Sequence, residues 1–337
     1  MSKQKNKRRH LTREDIRKAR SEGNVQVRME LAQRMLNGEP LSVAEADEAA
    51  SFLRHCRPED SICRVDLATI AGAQDAIFTS LYPLYAEDLE GRYGIVKFSG
   101  YDGLMTRVVS IEEKREDVAK LDEYYRQWNK VFGRNNHSDQ LLNLVINEVN
   151  KDLKVIDGEL AAGNIKREEY NYKRKSIVLH SKFIFLRVKR IFEDSKNTNI
   201  IVHFGGLDIE ITPWSMVHVL NRHYAKKIKQ YVTGKSYHGD AELPFFEDPE
   251  RLRDILEKIA SHAEARKCNV DYIVLKFNGL VYTIYTQLQT RHIGGKKTFF
   301  RQLQTFFPLE DPNKLQDIQD NYVEFVVDTN LSGFRPR

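Results

Sequence analysis

From about residue 198 onward the apolar residues recur at every second position, then at helical spacing, then at every second position again. That alternation constrains the fold more than any other feature of the chain. NIIVHFGGLDIEIT reads as two short strands around a Gly-Gly turn. PWSMVHVLNRHYAKKIKQYV reads as a helix, with Thr212 as its cap and Pro213 in the favoured first position. PERLRDILEKIASHAEARK is a second helix. DYIVLKFNGLVYTIYTQL is a hairpin turning at Asn278-Gly279, and LQTFFPLE is a short final strand opened by Thr305. Strand, strand, helix, helix and three strands predict an α+β domain over residues 198–310, its helices packed on a curved antiparallel sheet. Residues 311–337 read as a C-terminal tail, in which NYVEFVV has the composition of an edge strand or of a segment packing back on the body.

The preceding part reads as mainly helical. Residues 1–10 read as a disordered, polar basic arm, and residues 11–132 as a mixed, mainly helical N-terminal domain. Within it Thr12 is a helix cap, Gly38 a helix stop, and Ser42 with Glu45 has the spacing of a capping box. YGIVKFSGYDGLMTRVVSI suggests two strands around an SGYDG turn, followed by a charged helix at 111–132. GRNNHSD breaks the pattern, and residues 139–197 read as a long helical connector. Inside the connector, IVLHSKFIFLRV suits a helix or a strand equally, because its apolar run is also β-prone.

Composition excludes several classes. No window of the 337 residues approaches eighteen uninterrupted apolar positions, so no membrane helix is expected. The basic start lacks the apolar stretch of a secretory signal, and three cysteines without a CxxC pair cannot build a disulfide framework. A cytoplasmic setting is the expectation. The net charge of +5 permits nucleic acid as a partner without demanding it. Its distribution is uneven: cations cluster in residues 1–20, in KREEYNYKRK at 166–175, and between Arg222 and Lys235.

P-loop, GxGxxG, GxSxG and HExxH patterns are all absent. His218 and His223 are five apart, which turns their rings about 140° from one another on a helix, a poor geometry for one metal ion. Asp208 and Glu210 have no matching acid cluster, so neither a metal nor another cofactor is expected. Seven of the ten histidines nevertheless fall after residue 175. His218 and His223 sit on the helix after the Gly-Gly hairpin, and His292 lies in TRHIGGKKT, which reads as a polar, basic loop between strands. Arg222, Lys226, Lys227, Lys296 and Lys297 supply cations, and Tyr224, Tyr282 and Tyr285 phenols. Histidine titrates near neutrality, and cations can hold phosphoryl oxygens where charge grows. The set suits metal-free RNA cleavage. A base takes the 2′-hydroxyl proton, the leaving 5′-oxygen is protonated, and a 2′,3′-cyclic phosphate results.

The stretches IIVHFGGLDIEITPWSMVHVLNRHYAKKI, DYIVLKFNGLVYTIYTQL and LQTFFPLE together resemble the barnase–EndoU–colicin–RelE-like nuclease group, in the versions carried by prophages and polymorphic toxins. The resemblance covers about residues 198–310. It implies a helix preceding a curved antiparallel sheet, with His218, Arg222 and His223 on the helix side and Thr305 on the strand side as catalytic residues. His292, Lys296, Lys297, Lys226 and Lys227 would grip RNA, and an immunity or host protein would be a partner. QTRHIGGKKTFFRQ departs from the group's pattern as an insertion that carries His292 away from the helix. Two other readings fit the same residues. One is a nucleic-acid-binding or host-interaction protein without chemistry. The other is an assembly component using the long helices at 111–192. In either, His218 is only a satisfied polar neighbour at the edge of a core formed by Met216, Val217, Val219 and Leu220.

Overall fold

A computed structural model describes residues 10–55, 73–132, 137–194, 199–223 and 249–337, apart from residues 13, 14, 17, 20, 21, 93, 95 and 100–104. The chain divides into two compact units, residues 1–134 and 135–337.

The first unit is mainly helical. Its elements are α1 (Val25–Leu36), α2 (Val43–His55), α3 (Ala73–Tyr85), the paired strands β1 (Val96–Ser99) and β2 (Met105–Val108), and α4 (Ile111–Phe132). The expected SGYDG turn between the two strands lies almost wholly outside the described residues. Small side chains let α1 and α2 approach closely: Ala32, Ala46, Ala49 and Ala50 pack with Leu31, Met35 and Phe52. The capping box forms, with the Ser42 amide donating to Glu45 Oε2 at 2.9 Å and the Glu45 amide to Ser42 Oγ at 3.3 Å. The same buried carboxylate pairs with Arg34 at 3.0 Å and with His10 at 2.6 Å. Burial opposes ionisation, but the Leu11 and Ser42 amides, with His10 and Arg34, hold the Glu45 carboxyl below its ordinary value. One capping residue thus ties three segments of the unit together.

The second unit opens with α5 (Gln140–Ala161) and α6 (Arg167–Asp194). The ambiguous run in the connector is helical throughout. Every residue from Ser176 to Phe185 is buried, so the helix is enclosed on all sides there and has no exposed polar face to reveal its period. These two helices are part of the same compact unit as the sheet and pack on it through α7 (Pro213–His223), rather than forming a separate connector.

The sheet has seven strands in the order β3 (Ile200–Phe204), β4 (Leu207–Ile211), β7 (Lys296–Pro308), β6 (Leu280–Ile293), β5 (Tyr272–Phe277), β9 (Leu331–Pro336) and β8 (Tyr322–Asp328). All neighbours are antiparallel except β4 and β7, which share the short parallel register Ile209↔Arg301 and Glu210↔Gln302. The architecture is the α+β arrangement expected from the sequence. Residues 311–337 are not a tail: they form α9 (Pro312–Asn321), β8 and β9. The physical reason is the outer edge of β5, whose backbone groups β9 pairs from Val274↔Phe334 to Phe277↔Leu331.

TRHIGGKKT is likewise no loop. It is the far end of one long hairpin, paired continuously to Ile293↔Lys296. Gly294 and Gly295 have φ of 56° and 78°, the left-handed pair that a two-residue hairpin turn requires. Helix α8 (Pro249–Ala260) covers the opposite sheet face from α7 and α9. There Gly333 leaves room for the Phe325 ring, and Ile259 lies 3.0 Å from where a β-carbon would stand. Gly333→Ala should therefore overpack this contact and cost about 1–3 kcal/mol, read as a lower midpoint in thermal unfolding.

Candidate functional site

Helix α7 carries most of the chemistry. Its start is fixed by a reciprocal cap: the Ser215 amide donates to Thr212 Oγ1, and the Thr212 amide to Ser215 Oγ, both at 3.2 Å. Ser215 Oγ also donates to the Leu303 carbonyl at 2.7 Å, and Gln302 Nε2 to Thr212 Oγ1 at 2.8 Å, which ties the helix to β7. From α6, His180 Nε2 donates to the Leu220 carbonyl at 3.2 Å. Seven of the eleven residues of α7 are buried: Ser215, Met216, Val217, Val219, Leu220, Asn221 and His223.

The two histidines of α7 serve different neighbours. His223 ends the apolar stripe of the helix, a position that predicts an outward ring, but it is buried and faces the sheet. Its Nε2 lies 2.8 Å from Thr305 Oγ1, and its ring stacks on Phe307 at 4.8 Å. Thr305 stands near the end of β7 rather than at a strand's beginning. A β-bulge puts it there. Tyr285 pairs with Thr305, but the next residue, Thr286, pairs with Leu303, leaving Gln304 as the extra residue. Leu303 and Thr305, two apart, consequently face opposite sides of the sheet.

His218 looks the other way, toward α5. Its Nδ1 donates to Glu148 Oε1 at 3.1 Å, and Trp214, one turn earlier, stacks on the ring at 5.1 Å. Lys151 Nζ reaches Glu148 Oε2 at 2.7 Å. The hydrogen bond from His218, opposed by burial and helped by Lys151, holds the Glu148 carboxyl down at about 2. Asn221 donates to Asp152 at 3.3 Å, a second polar link in the same seam. With Nδ1–H committed to a carboxylate, the neutral imidazole has its lone pair on Nε2, which has no hydrogen-bond partner among the described residues. The side chain is 18% exposed. Arg222 lies one turn beyond His218 and has no ion-pair partner among the described residues. A carboxylate-held imidazole with an open nitrogen and a neighbouring cation can move a proton and hold an anion.

Of the residues expected to grip a substrate, Lys226 and Lys227 lie outside the described residues, as does Tyr224. His292, Lys296 and Lys297 occupy the hairpin tip. His292 is seven residues along β6 from Tyr285, roughly 23 Å at the rise of a strand. By alternation from Thr286 and Leu303, His292 and Lys297 point to the face opposite α7. The structure therefore brings His223 to Thr305 and His218 to Glu148, but gathers neither pair with the tip residues.

Other groups are occupied elsewhere. Glu210 pairs with Arg291 at 2.8 Å and accepts from Asn199 at 2.9 Å, while Asp208 meets His203 at 2.7 Å. Tyr282 is buried, and Tyr285 stacks on Phe307 with the Tyr272 ring tilted against it. Cys268 is buried with its thiol donating to the Phe334 carbonyl, and burial pushes it up to about 11, so it is no thiolate nucleophile. Among the described residues no group of three or more His, Cys, Asp or Glu could hold a metal ion, and no helix is long and apolar enough to cross a membrane. No protein-family model matches the chain, and neither the search of curated proteins nor that of solved structures found a match.

Glu148 and Lys151 were missed from the sequence. The readable signal was Glu148 and Asp152 standing among Val145, Ile146, Val149, Leu153 and Ile156, the buried stripe of α5. A carboxylate on an apolar stripe needs a partner.

Two outcomes are expected. Because its folded value lies below the ordinary 4.5, ionised Glu148 stabilises the fold above about pH 4.5, and this contribution disappears as pH falls toward about 2. Glu148→Gln should be less stable than wild type at pH 7, by about 1.5–3 kcal/mol, with the gap closing across that acid window in urea titrations. Thr305→Val should remove the hydroxyl that meets His223 Nε2 and cost about 1–3 kcal/mol in the same measurement at pH 7.

Proposed function

We propose that residues 135–337 form a metal-independent ribonuclease in which His218 moves the proton. The observation that carries this reading is the Glu148–His218 pair, 3.1 Å apart, with Nε2 open and Arg222 one turn away. Nε2 accepts the proton of a ribose 2′-hydroxyl. The 2′-oxygen attacks the adjacent phosphorus, and the bond from phosphorus to the 5′-oxygen breaks. The proton returns through solvent to the departing oxygen, leaving a 2′,3′-cyclic phosphate and a 5′-hydroxyl. Glu148 holds the ring's tautomer and stabilises the imidazolium, as a positioning residue. Arg222 is the phosphate clamp, since its guanidinium fork matches phosphoryl oxygens and its charge grows in value as the phosphorane forms.

This assigns His218, rather than His223, as the acid–base residue. His223 and Thr305 become parts of the helix-to-sheet contact. The resemblance of residues 198–310 to the toxin and prophage nuclease group supports the same chemistry, at the level of a helix preceding a largely antiparallel sheet. A cytoplasmic setting belongs to the proposal, consistent with Cys268 as a free buried thiol.

The test is incubation of the purified chain with end-labelled RNA in excess EDTA. The expected products end in a cyclic phosphate, and DNA of the same sequence stays intact. His218→Ala should lower the rate roughly 10²–10⁴-fold. Uncleaved RNA with the wild-type chain, or a His218→Ala variant as fast as wild type, would sink the reading.

A further inference from the structure

The outer half of the β6–β7 hairpin is chemically unlike the rest of the sheet. Between Asp271 and Glu310 the chain has no carboxylate side chain, yet Lys276, Arg291, Lys296, Lys297 and Arg301 fall within it. Strand β5 pairs with β6 only as far as Tyr285, and β4 pairs with β7 only at Ile209↔Arg301 and Glu210↔Gln302. Beyond those rungs the two strands have only each other as ladder partners, and they remain paired to the Gly-Gly turn. The outer hairpin is thus a two-stranded ribbon.

The ribbon keeps apolar groups in water. Phe299 is 60% exposed and Leu288 56%. Register and alternation put Leu288, Thr290 and His292 of β6 on one face with Lys297 and Phe299 of β7. Lys297 Nζ lies 5.3 Å from the centre of the Phe299 ring. The arginines are occupied, Arg291 by Glu210 and Arg301 by Asp271. His292, Lys296 and Lys297 have no acidic partner among the described residues.

We propose that this ribbon is a platform for single-stranded nucleic acid. Phe299 stacks on a base, Lys297 and His292 on the same face hold neighbouring phosphates, and Lys296, at the turn on the other face, adds to the local positive charge. Single strands offer a π-face and a negative charge in every repeat unit, which is what an exposed ring set among cations can use. A second copy of the ribbon would bring like charges together with no carboxylate to pair them. An acidic protein surface would satisfy the lysines but not the ring. The site goes beyond the chemistry assigned to His218 and does not depend on it, because the Phe299 face points away from α7.

The experiment is fluorescence anisotropy of the full chain with labelled oligo-dT and with 2′-O-methyl oligo-U, neither of which the 2′-hydroxyl route can cleave. Phe299→Ala should weaken both roughly 5- to 100-fold, the range for loss of one stacked base. Lys296→Ala with Lys297→Ala should flatten the slope of log affinity against log salt by about 0.7 per lost phosphate contact. Circular dichroism melts should match wild type, since all three side chains are exposed. Unchanged affinity and salt slope in both variants would overturn the proposal. So would binding confined to phosphatidylserine vesicles, or a Phe299→Ala variant whose only change is loss of self-association in sedimentation velocity. Intact oligonucleotide binding with no RNA cleavage would remove only the reading of His218.

Discussion

Helix α7 is enclosed by α5 and α6 on one side and the sheet on the other, and the second unit is organised around satisfying that enclosure. A helix buried on most of its circumference cannot leave polar side chains to water. Apart from Arg222, each is therefore met by protein: Ser215 by the Leu303 carbonyl, Asn221 by Asp152, His218 by Glu148 and His223 by Thr305. These bonds are directional, so they fix the rotation of the helix as well as its position. The apolar residues Met216, Val217, Val219 and Leu220 supply the driving force, and the polar ones choose a single arrangement.

The two histidine contacts are unequal in what they leave free. His223 gives its Nε2 to Thr305 and one ring face to Phe307, and it is buried. His218 gives up Nδ1 and, among the described residues, keeps Nε2, on a ring steadied by Trp214. Five residues of helix separate them, so one helix presents one histidine to a helical layer and one to a sheet. The bulge at Gln304 completes the second contact. Without it Thr305 would share the face of Leu303, and His223 would meet no hydroxyl there.

Much of the fold was legible because it rests on local rules. The caps at Thr12, Ser42 and Thr212 are short-range competitions for backbone amides, and all three form. Asn278-Gly279 turned a hairpin as its chemistry requires. Gly294-Gly295 has the same chemistry, yet its flanks read as a loop. The strands on either side bury no face, so TRHI and KKTFF show no apolar alternation. The stretch from Ser176 to Phe185 failed for the opposite reason, being buried on every side.

The candidate site was legible only in part. The sequence by itself determined which groups α7 carries, and helical geometry determined that His218 and His223 diverge, because both follow from covalent spacing. Which of them stays open was a tertiary decision. It depended on Glu148, seventy residues earlier on another helix, and on Thr305, eighty-two residues later beside a bulge. Neither partner is coupled to α7 by any local preference. The burial of apolar faces on α5, α7 and β7 brings them together, and a register shift of one residue decides which hydroxyl arrives.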